Sequence, residues 1–158
     1  MQVVKNIVFV ENPPRKLSNT TYKDCSFREY NFFKASISNC VFINCNFESS
    51  NFSKAKINNC KFVNCYMQFC AMTRVSILNS EFRNCDLWHS NLCHSEIKET
   101  LFEKTILRAL FKELDWRNNS YDKETIVESC GGTSCCMNEE IILDLINTSS
   151  RTCEKIAI

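Results

Sequence analysis

Two histidines, His89 and His94, and the cysteine beside the second, Cys93, are the residues best equipped for catalysis in this chain of 158. A thiol within reach of an imidazole is the starting point for nucleophilic hydrolysis. Cys93 and His94 are adjacent, however, and adjacent residues of an extended segment point to opposite sides. No paired carboxylate accompanies either histidine. The two glycines, Gly131 and Gly132, stand side by side, so the sequence holds no phosphate-cradling or dinucleotide-binding loop. Four further thiols, Cys130, Cys135, Cys136 and Cys153, raise the question of zinc near the C-terminus. Their spacings fit no pair-and-pair ligand pattern and read as unpaired thiols or a labile disulfide. The chain is therefore expected to bind no metal and no cofactor, and not to be an enzyme.

The elements that carry these residues follow a repeat. From Cys25 the chain divides into fives: CSFRE, YNFFK, ASISN, CVFIN and on to TILRA, which ends at Ala109. The third residue of all seventeen units is apolar, from Phe27 to Leu107. With 44% of the chain hydrophobic, chance would produce that run on the order of once in a million trials. The first residue is Cys, Ala, Ser, Thr or Val, with Tyr30 the exception. Neither helical periodicity nor strand alternation has a period of five.

A second period overlies the first. Phe42, Phe62, Phe82 and Phe102 recur every twenty residues, as do Ile37, Ile57, Ile77 and Ile97, and Cys25, Cys45, Cys65 and Cys85. Asn44, Asn64 and Asn84, with Asn39, Asn59 and Asn79, form two more series. A chain that returns to the same side every four units is a coil with a square cross-section. Successive coils then stack as parallel strands at about 4.8 Å, and like residues stack on like. The prediction is an all-β solenoid, a quadrilateral parallel β-helix of about four coils. Cys25, Cys40, Cys45, Cys60, Cys65, Cys70 and Cys85 read as buried core thiols, small hydrophobes in the first slot of their units. Free thiols in that role suit a reducing cytoplasm.

These motifs resemble the pentapeptide-repeat family, whose pattern is roughly A-(D/N)-L-x-x. The resemblance covers about residues 20–110. It implies a right-handed β-helix whose first and third residues face inward and whose other three face solvent. Phe and Ile replace much of the usual Leu, and Lys56, Lys61, Val41 and Tyr66 dilute the Asp/Asn preference at the second position.

A stacked coil exposes its last rung, so each end needs a cap. Residues 1–20 read as an N-terminal strand over the first coil, turned by Pro13 and Pro14; the β-helix proper is assigned to 21–110. Residues 111–158 read as a C-terminal cap or tail, helical and cysteine-containing. Ile106, Leu107, Leu110, Phe111 and Leu114 give Thr105–Arg117 an amphipathic helical pattern that would lie across the last coil. Asn138–Ile146 reads as a short helix that either packs back on the coil or pairs with another copy, which would make a homodimer. Residues 111–158 carry a net charge of −4 and residues 25–110 one of +3. No run is long and apolar enough to span a bilayer, and Met1–Val10 lacks a signal-peptide cleavage site.

Two surfaces stand out. Lys34, Lys54, Arg74 and His94 occupy one corner of successive coils, with Lys56 close by: a basic stripe for an acidic partner, or a solvated edge. Val41, Ile43 and Val63 flank the Phe ladder outwardly, and Trp88, Phe33, Tyr66, Phe69 and Leu78 also face out. The first three with Trp88 form a candidate apolar interface, as a dimer contact or partner site. The first functional expectation is a non-catalytic module that presents a rigid β-helical surface to a protein of unknown identity. The resemblance implies two alternatives. Some family members imitate DNA and bind a type II topoisomerase (gyrase), protecting it from inhibitors, which asks for a strongly acidic rod. Others are bacterial effectors delivered into a host cell, where Cys135 and Cys136 would be candidate lipidation sites. With a net charge of +1, binding to nucleic acid is not expected.

Overall fold

A computed structural model describes residues 1–10 and 14–129. The period of five becomes one side of a square coil, and four sides make a turn. Side one begins at residues 25, 45, 65 and 85, side two at 30, 50, 70 and 90, side three at 35, 55, 75 and 95, and side four at 40, 60, 80 and 100. Side four carries a seven-stranded parallel sheet, from Gln2–Lys5 through Thr20–Lys23, Val41–Ile43, Lys61–Val63, Glu81–Arg83 and Leu101–Glu103 to Ser120–Tyr121. Side three carries a six-stranded sheet from Lys16–Ser18 to Asp115–Arg117. Residues twenty apart pair, as Ile37 with Ile57 and Phe62 with Phe82. The solenoid has about six turns and is about 29 Å long at strand spacing.

All seventeen third-position side chains are at most 1% exposed. On side four the rings of Tyr22, Phe42, Phe62, Phe82 and Phe102 stack with centroids 4.8–5.2 Å apart. Phe9, Phe27 and Phe47 stack likewise on side one at 4.4 and 5.0 Å. Identical rings on neighbouring rungs are held parallel by the strand register, and each excludes water from the next.

The corners have a rule of their own. From Glu29 to Lys104, every fifth residue lies in the left-handed region, with φ between 49° and 59°, and none is glycine. After sides three and four that residue is usually Asn, which tolerates this conformation. Its amide also bonds the Asn one coil below: Asn59 Nδ2 to Asn39 Oδ1 at 2.7 Å, Asn64 to Asn44 at 3.1 Å and Asn84 to Asn64 at 2.9 Å. On sides one and two the unit closes as a tight turn instead, with Tyr30 N donating to Phe27 O and Ala35 N to Phe32 O. There the second residue is Asn or Asp in most units. Its carboxamide or carboxylate oxygen accepts the N–H two residues on, as Asn46 from Glu48 at 2.8 Å, Asn51 from Ser53 at 2.9 Å and Asp86 from Trp88 at 2.9 Å. Sides three and four have strand N–H groups at that place, so Val41, Lys56 and Lys61 serve there equally well.

At the N-terminus Gln2–Lys5 is a strand over the first coil, as read from the sequence, pairing in parallel with Thr20–Lys23 as one more rung of side four. The far end departs from expectation. Thr105–Arg117 is not a helix; it holds the strands Ile106–Leu110 and Asp115–Arg117. The unit Thr105–Arg108 is one residue short, so Ser90 pairs with Ala109 and Glu96 with Asp115, nineteen residues apart. The six-residue unit Asn119–Glu124 restores the spacing, and Ile106 pairs with Ile126. The missing residue places the inward plugs Leu107, Phe111 and Leu114 at intervals of four and three, which imitates an apolar helical face. The helix read over Asn138–Ile146 lies outside the described residues.

Candidate binding surfaces

The thiols at the first position are hydrogen-bond donors as well as plugs. Cys65 Sγ donates to Phe42 O at 3.5 Å, Cys85 Sγ to Phe62 O at 3.4 Å and Cys70 Sγ to Phe47 O at 3.0 Å, each reaching the coil below. Thr105 Oγ1 does the same towards Phe82 O at 3.1 Å, and Ser95 Oγ towards Met72 O at 2.8 Å. The slot therefore asks for a short side chain bearing a donor, which explains why Cys, Ser and Thr interchange there. Cys25, Cys40, Cys45, Cys60, Cys65, Cys70 and Cys85 are all buried and free of disulfides. Burial pushes the Cys70 thiol up to about 12 and raises Cys65 as well. Contact with Cys65 and burial raise Cys45, while the contact between Cys40 and Cys60 lowers Cys40 and raises Cys60. Thiols held protonated in this way are poor nucleophiles.

His94 turns to Glu113, with Nδ1 2.8 Å from Oε2. His89 packs edge-on to Trp88, centroids 4.2 Å apart. Among the described residues no three His, Cys, Asp or Glu side chains gather where a metal ion could sit. Cys130, Cys135, Cys136 and Cys153 lie outside the described residues.

Lys34, Lys54, Arg74 and His94 are the fifth residues of side two, all exposed and all left-handed at φ 58–59°. The structure lines them up on one corner. Lys56 follows just beyond, where side three begins. Phe33 lies beneath the first two: Lys34 Nζ is 5.1 Å from its ring centre and Lys54 Nζ 5.7 Å. One ring thus eases the repulsion between two ammonium groups. Among the described residues no carboxylate lies within ion-pairing distance of Lys34, Lys54, Lys56 or Arg74.

The neighbouring sides differ. On side four, Lys61 pairs with Glu81 at 2.8 Å, and Arg83 bridges Glu81 and Glu103. On side three, Lys98 joins Glu96 and Asp115, and Arg117 pairs with Asp115 at 2.6 Å. The stripe ends where Glu113 takes the next corner and engages His94.

The apolar candidates do not form one patch. Ile43 and Val63 are ladder neighbours on side four, with Val41 two residues along the same strand, but Lys23 and Arg83 continue that column on either side. All three are only half-exposed. Trp88 belongs to side one, with Phe69 and His89. Phe69 meets Trp88 edge-on at 5.2 Å and stacks on His89 at 5.7 Å, and Tyr66 stands 61% exposed on the same side. Sequence reasoning places these residues outward singly. The signal that joins them is the twenty-residue offset between Phe69 and His89, with Trp88 next to it.

A family model described as a pentapeptide repeat region matches residues 35–111. Among solved structures, a trypsin-treated variant of QnrB1, a plasmid-mediated fluoroquinolone resistance protein, superposes with a TM-score of 0.51 at 14% identity, over 78% of this chain and 72% of that one. Full-length QnrB1 aligns over 92% of this chain and 99% of its own at 15% identity, with a TM-score of 0.27. A pentapeptide repeat protein, Rfr23 from the cyanobacterium Cyanothece 51142, aligns at 11% identity over 80% and 85%, with a TM-score of 0.26. At such identities the likeness is one of fold. No curated protein matches the sequence.

Proposed function

The chain is a pentapeptide-repeat protein, and from that premise we propose that it is a non-catalytic interaction module whose basic edge, Lys34, Lys54, Lys56 and Arg74, receives an acidic protein surface. The observation that supports this most is the contrast in charge pairing. Lys61 and Arg83 on side four and Lys98 and Arg117 on side three are neutralised within the rod, while Lys34, Lys54, Lys56 and Arg74 have no carboxylate in reach among the described residues. Four like charges on neighbouring rungs cost stability, and an anionic partner would recover it. The rod supplies the rest: its side chains are set by a rigid core, so binding orders little. Among the described residues no helix is long and apolar enough to cross a membrane. We place the protein in a reducing cytoplasm, where its core thiols would stay as the donors they are.

The DNA-imitating alternative asks for a strongly acidic rod, and this one turns a row of cations outward. The homodimer through the C-terminal segment, and the lipidation of Cys135 and Cys136 in an effector, concern residues outside those described.

The test is affinity capture from the native host with wild-type protein, with K34E/K54E/R74E, and with Lys61→Ser as a control on a paired side. A partner retained by Lys61→Ser and lost by the triple reversal, with salt-dependent binding, supports the reading. A partner that all three forms hold equally overturns it.

A further inference from the structure

The two ends of the rod differ in charge and agree in strand register. Gln2–Lys5 is the outermost strand of side four, and among the described residues nothing pairs with its outer edge. Along this side the amide of each second residue donates towards the preceding coil: Lys61 N to Cys40 O and Glu81 N to Cys60 O at 2.9 Å, Ser120 N to Thr100 O at 3.0 Å. Val3 holds that same register, opposite Thr21, so its N–H points off the end of the rod. Val3 and Val8 are 56% and 68% exposed there. At the far end Ser120–Tyr121 is the last strand of side four among the described residues and Ile126–Ser129 the last of side one, with Ile126 38% exposed. An open edge carrying apolar side chains is a template for another strand.

We propose that the chain stacks head to tail on a second copy of itself, the N-terminal rung of one copy continuing the parallel ladders of sides four and one above the last rung of the other. Carrying the observed pairing one rung further sets Val3 over Ser120, Lys5 over Asp122, Val8 over Ile126 and Phe9 over Val127. Valine meets isoleucine, and an ammonium group meets a carboxylate. Residues 1–24 hold four cations and two anions, residues 111–129 three cations and five anions. Each end therefore attracts its opposite, whereas two like ends repel. A head-to-tail contact of this kind does not close on itself, so the product is an open series of copies.

Sedimentation of the full chain under reducing conditions tests this. The expected result is a mean mass that keeps growing past the dimer as concentration rises. Val3→Pro removes the outward N–H together with the valine side chain and is tolerated on an edge strand; it is expected to weaken association by about tenfold or more. Added in small proportion to wild type, it should shorten the assemblies, because each variant copy blocks one end. Lys5→Glu, which leaves the backbone alone, should weaken association, and Lys5→Glu with Asp122→Lys in the same chain should restore it. A chain that stays monomeric at all concentrations, a dimer that does not grow, or assembly indifferent to Val3→Pro and to the charge exchange overturns the proposal.

Discussion

Two stretches of the same solenoid solve the same problem by different counts. Between Cys25 and Lys104 each side has five residues, each turn twenty, and each corner a left-handed residue. Between Thr105 and Glu124 the sides run four, five, five and six, and neither Arg108 nor Glu124 has a positive φ. Both stretches keep their plugs: Phe111, Leu114 and Tyr121 are buried as Phe42, Phe62 and Phe82 are. The difference teaches that the fold counts sides, not residues. A residue lost at a corner shortens an exposed bend, whereas one lost between corners would turn every later side chain in that strand inside out.

The largest effect that can break this comparison comes from insertion. An Asn placed between Arg108 and Ala109 completes a five-residue side, and thermal unfolding should shift by no more than about 4 °C. One placed between Phe62 and Val63 inverts a central strand, and the cooperative transition should be lost. Equal damage from both insertions would refute the corner rule. Next is truncation of a plug. Phe62 is stacked on both faces and should cost about 3–5 kcal/mol as Phe62→Ala. Phe111, at the end of its column among the described residues, should cost about 2–3 kcal/mol as Phe111→Ala; denaturant titration that reverses this order counts against the stacking argument. At the corners, Asn64→Val forces a β-branched residue into the left-handed region and cuts the amide ladder, for a loss of about 2 kcal/mol.

Smaller effects sharpen the picture. Cys65→Ser keeps a donor to Phe42 O and should cost less than Cys65→Ala, which removes that side-chain bond, by about 1 kcal/mol. If the alanine variant is the more stable, the thiol acts by volume alone. Smallest of all is the ion pair on side four. The Lys61 ammonium beside Glu81 holds its carboxyl below the usual carboxylate range, so the stabilisation is complete above the unfolded carboxyl pKa and fades as pH falls through the lower folded value. Lys61→Met should therefore cost a few tenths of a kcal/mol at neutral pH, the pair being half-exposed, and nothing in strong acid. A penalty that persists in acid would assign the effect to packing.

The repeat was legible because its plugs obey one rule at every unit, from Phe27 to Leu107. The end was not, since a single missing residue at Arg108 gave Leu107, Phe111 and Leu114 the spacing of a helix. Local pattern favoured the helix; the ladder to Ser90 and Glu96, which no window of sequence contains, favoured the strands. The basic corner was legible for the same reason as the core, because a twenty-residue offset is a stacking contact. What escaped was how neighbours use it: Phe33 lying under two lysines, Asn46 and Asp86 holding turns, and cysteines donating to carbonyls. Each is an orientation of a side chain, and spacing alone does not encode orientation.

The left-handed bends carry a further consequence. Glycine would occupy them without steric cost, yet both of the chain's glycines lie elsewhere, at 131 and 132. A glycine bend would gain an easy dihedral angle and lose more freedom on leaving the denatured ensemble. It would also be blank. By accepting mild torsional discomfort, the polypeptide gains four columns of side chains along its edges, each open to rewriting in charge or shape while the interior stays as it is.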